Sequence, residues 1–289
     1  MIYCPNCSAK LLAAAKFCHQ CGQSLQSTEE SVEKQAPITR ELVYLYTPKD
    51  KRVLKEEIKA DFFKALRKRV EEEQRIELYP DYVDRFYKAR FMEVLDNRSN
   101  LLTEEMTKIQ ARNKYPEQEF GALVQEAFDH LLDYLMTIYC ADINVNPYPE
   151  AILKYSNTTK KPDIQTLIFD YLDLDSETEK VFSDFITMPT YKLRNAADSF
   201  LRATMEEKLY FIIDQTLLGS CKEGVAMTDK GIYWKVHFEK PHCILYEDIR
   251  SIRRDKDCLI INNNYFNVNT TFNIRLMKLL RKVREIYFQ

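Results

Sequence analysis

Cys4-Pro5-Asn6-Cys7 and Cys18-His19-Gln20-Cys21-Gly22 place four thiols in two C-x2-C pairs, with ten residues between the pairs. Two residues between thiolates let one turn aim both sulfurs at the same ion, and two such turns complete a tetrahedral S4 site with Zn–S of about 2.3 Å. The spacing predicts one structural Zn²⁺ held by Cys4, Cys7, Cys18 and Cys21. A segment of this size has too little apolar surface to fold by burial, so metal binding must supply most of its stability, roughly 10–16 kcal/mol in small zinc peptides. A redox C-x-x-C needs a βαβ context that the sequence lacks. With four thiolates filling the site, His19 is a spectator.

Other polar groups carry weaker signals. Glu126 and His130 stand four apart beside Asp129 and Asp133, but no second Glu-x-x-His helix accompanies them. Asp170, Asp173 and Asp175 lack the glycine and terminal glutamate of a calcium loop. His237 and His242 flank a turn without a ligand partner. Cys140, Cys221, Cys243 and Cys258 are scattered through apolar segments and read as small buried hydrophobes of a reduced protein. Glycine is scarce, and G-x-x-x-x-G-K-[ST], G-x-G-x-x-G and G-x-S-x-G do not occur. No catalytic or cofactor-binding residue is expected, and the chain reads as a non-enzyme.

The elements that would position these groups follow from the apolar pattern. The 289 residues carry 42 basic and 44 acidic side chains, a net charge of −2, which excludes a globally basic nucleic-acid coat. No apolar run approaches the roughly 18–20 residues of a membrane span. Cys4 and Lys16 are incompatible with a secretory signal, so a cytoplasmic location is expected. Residues 26–47 read as a flexible linker, since 26–40 show no hydrophobic periodicity. Residues 48–192 are predicted to be helical. Leu54, Ile58, Phe62, Leu66 and Val70 form one stripe, and Leu123, Val124, Ala127, Phe128, Leu131, Leu132, Leu135 and Met136 form another. A break falls at Asn146-Pro147-Tyr148-Pro149, a helix is expected over 163–174, and Ser176 with Glu179 suggests a capping box for a further helix ending at Met188-Pro189.

Residues 193–289 change character. Segments 223–228, 231–238, 242–249 and 258–266 are short, rich in β-branched and aromatic residues, and separated by turns, of which Thr228-Asp229-Lys230-Gly231 suits a tight hairpin. A closing helix carries Phe272, Leu276, Leu279, Leu280, Val283 and Ile286 on one face, expected to cover a curved antiparallel sheet containing Tyr233 and Ile260. Its other face, with Lys278, Arg281 and Lys282, is expected to meet water. The fold class is therefore α+β and multidomain, with zinc ribbon 1–25, linker 26–47, an all-α domain 48–192 and a sheet domain 193–289.

Two resemblances add to this. Cys4-Pro5-Asn6-Cys7-Ser8-Ala9-Lys10-Leu11 followed by Lys16-Phe17-Cys18-His19-Gln20-Cys21-Gly22-Gln23-Ser24-Leu25 resembles the bacterial short zinc-ribbon family, with Ser8 where that pattern has glycine. Residues 193–287 resemble the bacterial pleckstrin-homology-like modules. That likeness rests on Leu209-Tyr210-Phe211-Ile212-Ile213-Asp214-Gln215-Thr216, on the run from Gly219 through Thr228-Asp229-Lys230-Gly231 to Trp234, and on Tyr246-Glu247-Asp248-Ile249 before the closing helix. The first resemblance implies a zinc-stabilised fold; the second implies a seven-stranded sheet fold with a binding surface for protein, peptide or lipid headgroup and no catalytic residue.

Basic residues gather in two places: Lys49, Lys51, Arg52, Lys55, Lys59, Lys64, Arg67, Lys68 and Arg69, and Arg250, Arg253, Arg254, Lys256, Lys278, Arg281, Lys282 and Arg284. The expectation is a cytoplasmic adaptor that binds a protein partner or an anionic lipid surface. Nucleic-acid binding through the ribbon and the first basic helix is the alternative, and an enzyme with an unrecognised carboxylate site in the helical domain is a third.

Overall fold

The computed structural model describes residues 2–3, 10–11, 44, 46–47, 50–156 and 161–288. The chain divides into two compact units, Met1–Leu42 and Val43–Gln289. In the first unit β1 (Ile2–Tyr3) pairs antiparallel with β2 (Lys10–Leu11), Ile2 opposite Leu11 and Tyr3 opposite Lys10. Cys4, Cys7, Cys18 and Cys21 lie outside the described residues.

The second unit begins with Tyr44 and Tyr46, both buried. The backbone at Tyr44 runs so close to Gly121 that a Cβ there would lie 2.2 Å from the Tyr44 carbonyl oxygen. Helix α1 (Lys51–Glu73) starts at Asp50, whose carboxylate accepts from the Arg52 N–H, and Leu54, Ile58, Phe62, Leu66 and Val70 are all buried, as their four-residue spacing predicts. α2 (Tyr79–Lys88), α3 (Phe91–Arg112) and α4 (Glu117–Tyr134) pack on it. Phe62, Phe86, Phe91 and Phe128 meet at the centre with ring centroids 5.5–6.4 Å apart. A π-helical turn (Leu135–Tyr139) ends α4. α5 (Ile164–Leu172) is capped by Asp163, which accepts from the Thr166 N–H.

The next segment departs from expectation. Ser176 and Glu179 do not open a helix: the Ser176 hydroxyl donates to the Asp173 carbonyl, and Lys180–Phe182 forms strand β3. Met188-Pro189 does not close a helix either. Pro189 immediately precedes α6 (Thr190–Ser199), the position where a missing N–H costs nothing, and the expected division at 192/193 falls within that helix.

Strands β4 (Leu209–Asp214), β5 (Gly224–Thr228), β6 (Gly231–Lys235) and β7 (His242–Leu245) extend β3 into a five-stranded antiparallel sheet in sequential order. β8 (Ile252–Asp255), β9 (Cys258–Ile261) and β10 (Asn264–Phe266) form a three-stranded antiparallel sheet. Helix α7 (Thr270–Tyr287) closes the chain from its Asn269 cap. The larger sheet is covered on both faces. Ile212, Ala226 and Tyr233 join Met188, Ala196 and Phe200 in one cluster beneath α6, so Tyr233 does not lie under α7. Its neighbour Trp234 points the other way, edge-on to Phe266, which stacks on Phe272 of α7. Alternation along a strand sends adjacent side chains to opposite faces.

Candidate functional site

The charged groups come together inside the molecule rather than on it. Lys278 lies on α7, expected at the surface, but is 7 % exposed. Its ammonium sits 2.6 Å from Asp133 Oδ1 of α4 and 3.4 Å from Glu73 Oε2 of α1, with its Nζ 4.8 Å from the centre of the Tyr148 ring. Arg69 contacts Glu73 at 3.3 Å and Asp133 at 2.8 Å, and also pairs with Asp129. The Tyr148 hydroxyl donates to Glu73 at 2.6 Å. Gln74 and Asn146 close the cluster: the Gln74 amide donates to the Asn146 carbonyl and accepts from the Asn146 N–H, each at 2.9 Å. Burial pushes the Glu73 and Asp133 carboxyls up, but Arg69 and Lys278 more than offset it, leaving both below the usual carboxylate range. Arg254 of β8 donates to the carbonyls of Glu72 and Gln74, closing the C-terminal end of α1.

The two basic groups are accordingly largely neutralised. Lys55 and Lys59 meet Asp96, Lys64 meets Asp61, and Lys68 meets Glu72. Arg281 reaches Glu72 at 3.1 Å and Lys282 reaches Glu285 at 2.8 Å, so the expected basic face of α7 is an ion-paired one. The other sequence candidates also have partners. Asp129 and Asp133 pair with Arg69, and burial, with Lys282 nearby, holds His130 below its ordinary pKa. Asp170 accepts from the Tyr155 hydroxyl, and Asp173, in the left-handed region at φ 49°, lies 3.4 Å from Arg275. Cys140 and Cys221 are buried, which pushes each thiol up to about 12, whereas Cys243 is exposed, contrary to the buried expectation. Among the described residues, no group of three or more His, Cys, Asp or Glu side chains is placed to hold a metal. No helix there is long and apolar enough to cross a membrane. Among the described residues, an open surface hollow of about 320 Å³ is lined by Arg85, Lys88, Ala89, Ile138 and Tyr139.

One end of the larger sheet stands apart. The β4–β5 and β6–β7 connections both emerge there, and Leu217, Leu218 and Phe238 at their tips are 101 %, 92 % and 92 % exposed. The loops lie side by side, since His237 Nδ1 is 2.8 Å from Glu223 Oε2. The first loop is held at its base by Asp214, whose Oδ1 accepts from the N–H groups of Thr216 (3.0 Å) and Cys221 (3.2 Å), and by Gly219 at φ +65°. Lys192 of α6 lies 3.7 Å from Asp214 Oδ2. Gln215 donates to the Asn267 carbonyl at 3.1 Å, tying in the chain after β10. Sequence reading missed this end; its one signal was a Leu-Leu pair between Thr216 and Gly219, inside a turn rather than a periodic run. No family model matches this chain, and no curated protein or solved structure matches it either.

Proposed function

We propose that this chain is a non-catalytic interaction protein in which a zinc ribbon, residues 1–25, is joined to a pleckstrin-homology-like module that binds its partner at the loop end of the sheet. Support for the ribbon comes from β1 and β2, which pair across the stretch of sequence carrying Cys4 and Cys7, and from an all-thiolate donor set suited to Zn²⁺. Support for the module comes from the consecutive antiparallel strands β4–β10, of which β4–β7 share the five-stranded sheet with β3 and β8–β10 form the three-stranded one, followed by α7. The observation that carries the reading is the exposure of Leu217, Leu218 and Phe238 together on two bridged loops. Large apolar side chains concentrated at one exposed place mark interaction surfaces. The polar clusters that catalysis could have used are instead occupied by their own neighbours. Nucleic-acid binding has less support, because Lys55, Lys59, Lys64 and Arg69 are engaged by carboxylates.

The test is co-purification from a native extract, membranes included, using the full chain and a Leu217→Ser/Leu218→Ser/Phe238→Ser variant. The variant is expected to lose the bound fraction while keeping its fold. Equal recovery by both would refute the loop end as the binding surface.

A further inference from the structure

We infer that two copies of this chain pair through the outer face of α3, antiparallel, about a twofold axis beside Leu101. α3 carries two stripes. Phe91, Leu95, Leu102, Met106 and Ile109 are buried. Beside them Val94, Arg98, Leu101, Glu105 and Lys108 recur at alternating steps of four and three, the spacing that keeps one seam facing a second helix. Among the described residues this seam stays open, with Val94 39 % and Leu101 56 % exposed.

Charge selects the occupant. Arg98 is half-buried and has no ion pair among the described residues, whereas Lys55, Lys59, Lys64 and Arg69 on α1 are all engaged by carboxylates. Arg98 stands three residues before Leu101 and Glu105 four after it, so the two charges lie about 10 Å apart along the helix axis. The seam is therefore its own complement. When a second copy is laid on it antiparallel, Arg98 of each copy meets Glu105 of the other, and the leucines meet between them. The same operation sets Val94 against the aliphatic stem of Lys108. Glu105 is otherwise held by Lys108 at 2.9 Å, an open pair with side chains 44 % and 71 % exposed, which costs little to exchange. A twofold contact repeats every interaction, so each end of the seam gains one Arg98–Glu105 pair. A bilayer or a nucleic acid would find no such match, because the charges along the seam alternate in sign. The contact is small, which makes the dimer a micromolar one and not a permanent one.

Sedimentation velocity of the full chain over a range of concentrations reads the dimer, and charge exchange locates it. Arg98→Glu alone sets two carboxylates against each other at both ends of the seam, and Glu105→Arg alone sets two guanidiniums. Each variant by itself is expected to self-associate at least about tenfold more weakly than wild type. Mixed in equal amounts, the two variants regain both opposite-charge pairs, and association should return close to that of wild type. Leu101→Lys should stay monomeric with any of them. Circular dichroism checks that each variant is folded. The Leu217→Ser/Leu218→Ser/Phe238→Ser variant should dimerise as wild type does, so a failure of the loop-end reading leaves this result untouched. Wild type that remains monomeric at hundreds of micromolar, single variants that dimerise unchanged, or a mixture no tighter than its components would each overturn the α3 pairing.

Discussion

Lys278 occupies a position that a helical wheel assigns to water, in the third turn of α7 between Met277 and Leu279. Its partners Glu73 and Asp133 stand 205 and 145 residues away in sequence, on other helices. A hydrophobic pattern sees one helix at a time, so a cation whose counter-charges arrive from elsewhere cannot be told from a solvated one. Removing one member of such a cluster strands the others in a poorly solvated place. Lys278→Ala is therefore expected to lower unfolding free energy by about 3–5 kcal/mol, whereas Arg281→Ala, 41 % exposed, should cost no more than about 1 kcal/mol. Urea titrations of the two variants compare them directly, and equal losses would contradict the buried role of Lys278. The carboxylates add a pH dependence. Glu73 and Asp133 are depressed in the folded state, so the unfolded chain takes up protons first, near the ordinary values of about 4.3 and 3.9. Their contribution is complete above that range and is lost as pH falls through the folded values. Melting temperature should fall with acidification below about pH 4, less steeply in Glu73→Gln, which begins from a lower stability.

Elements were legible where one face meets a core. The α1 stripe, the helix expected over 163–174, the 228–231 hairpin and the closing helix all follow from local spacing and turn chemistry. β3 and β8 were not legible: Lys180-Val181-Phe182 and Ile252-Arg253-Arg254-Asp255 are too short and too polar to show alternation, and pairing with β4 and β9 is what makes them strands. The capping-box signal at Ser176 lost to that pairing. α7 illustrates the remaining limit. One apolar face was read, but Phe272 through Leu280 are buried without interruption, because helices cover the side away from the strands. Leu280→Ala should cost about 2–5 kcal/mol, as expected for a leucine with no exposure. Gly121→Ala probes a different contact. Its new methyl would collide with the Tyr44 carbonyl, so the chain before α1 must shift, and amide exchange should quicken around residues 44–47 more than in the α1 core. Unchanged exchange there would mean that α4 yields instead.

At the level of the whole molecule, the division at residues 42/43 separates a unit too small to fold by burial from one with its own apolar core, running from Tyr46 in the first segment to Val283 in the last helix. The two should then answer to different perturbations. Cys18→Ser removes one of the four thiolates of the proposed zinc site, and a three-thiolate remnant binds metal far more weakly. Purified without chelator, wild type is expected to carry one zinc per chain and the variant much less. The second unit is expected to be independent of that metal, since its helices and sheets are held by the Phe62 cluster, the α6-covered sheet face and the Lys278 charge cluster, all drawn from residues beyond 43. Its unfolding transition should move by less than about 0.5 kcal/mol, the range of substitutions remote from a core. Metal analysis reads the first half of this expectation, and denaturation followed by Trp234 fluorescence reads the second, because that tryptophan is packed against Phe266 inside the second unit. A wild-type chain without zinc would remove the ribbon. Zinc loss that also lowered the Trp234 transition would show that the two units fold as one.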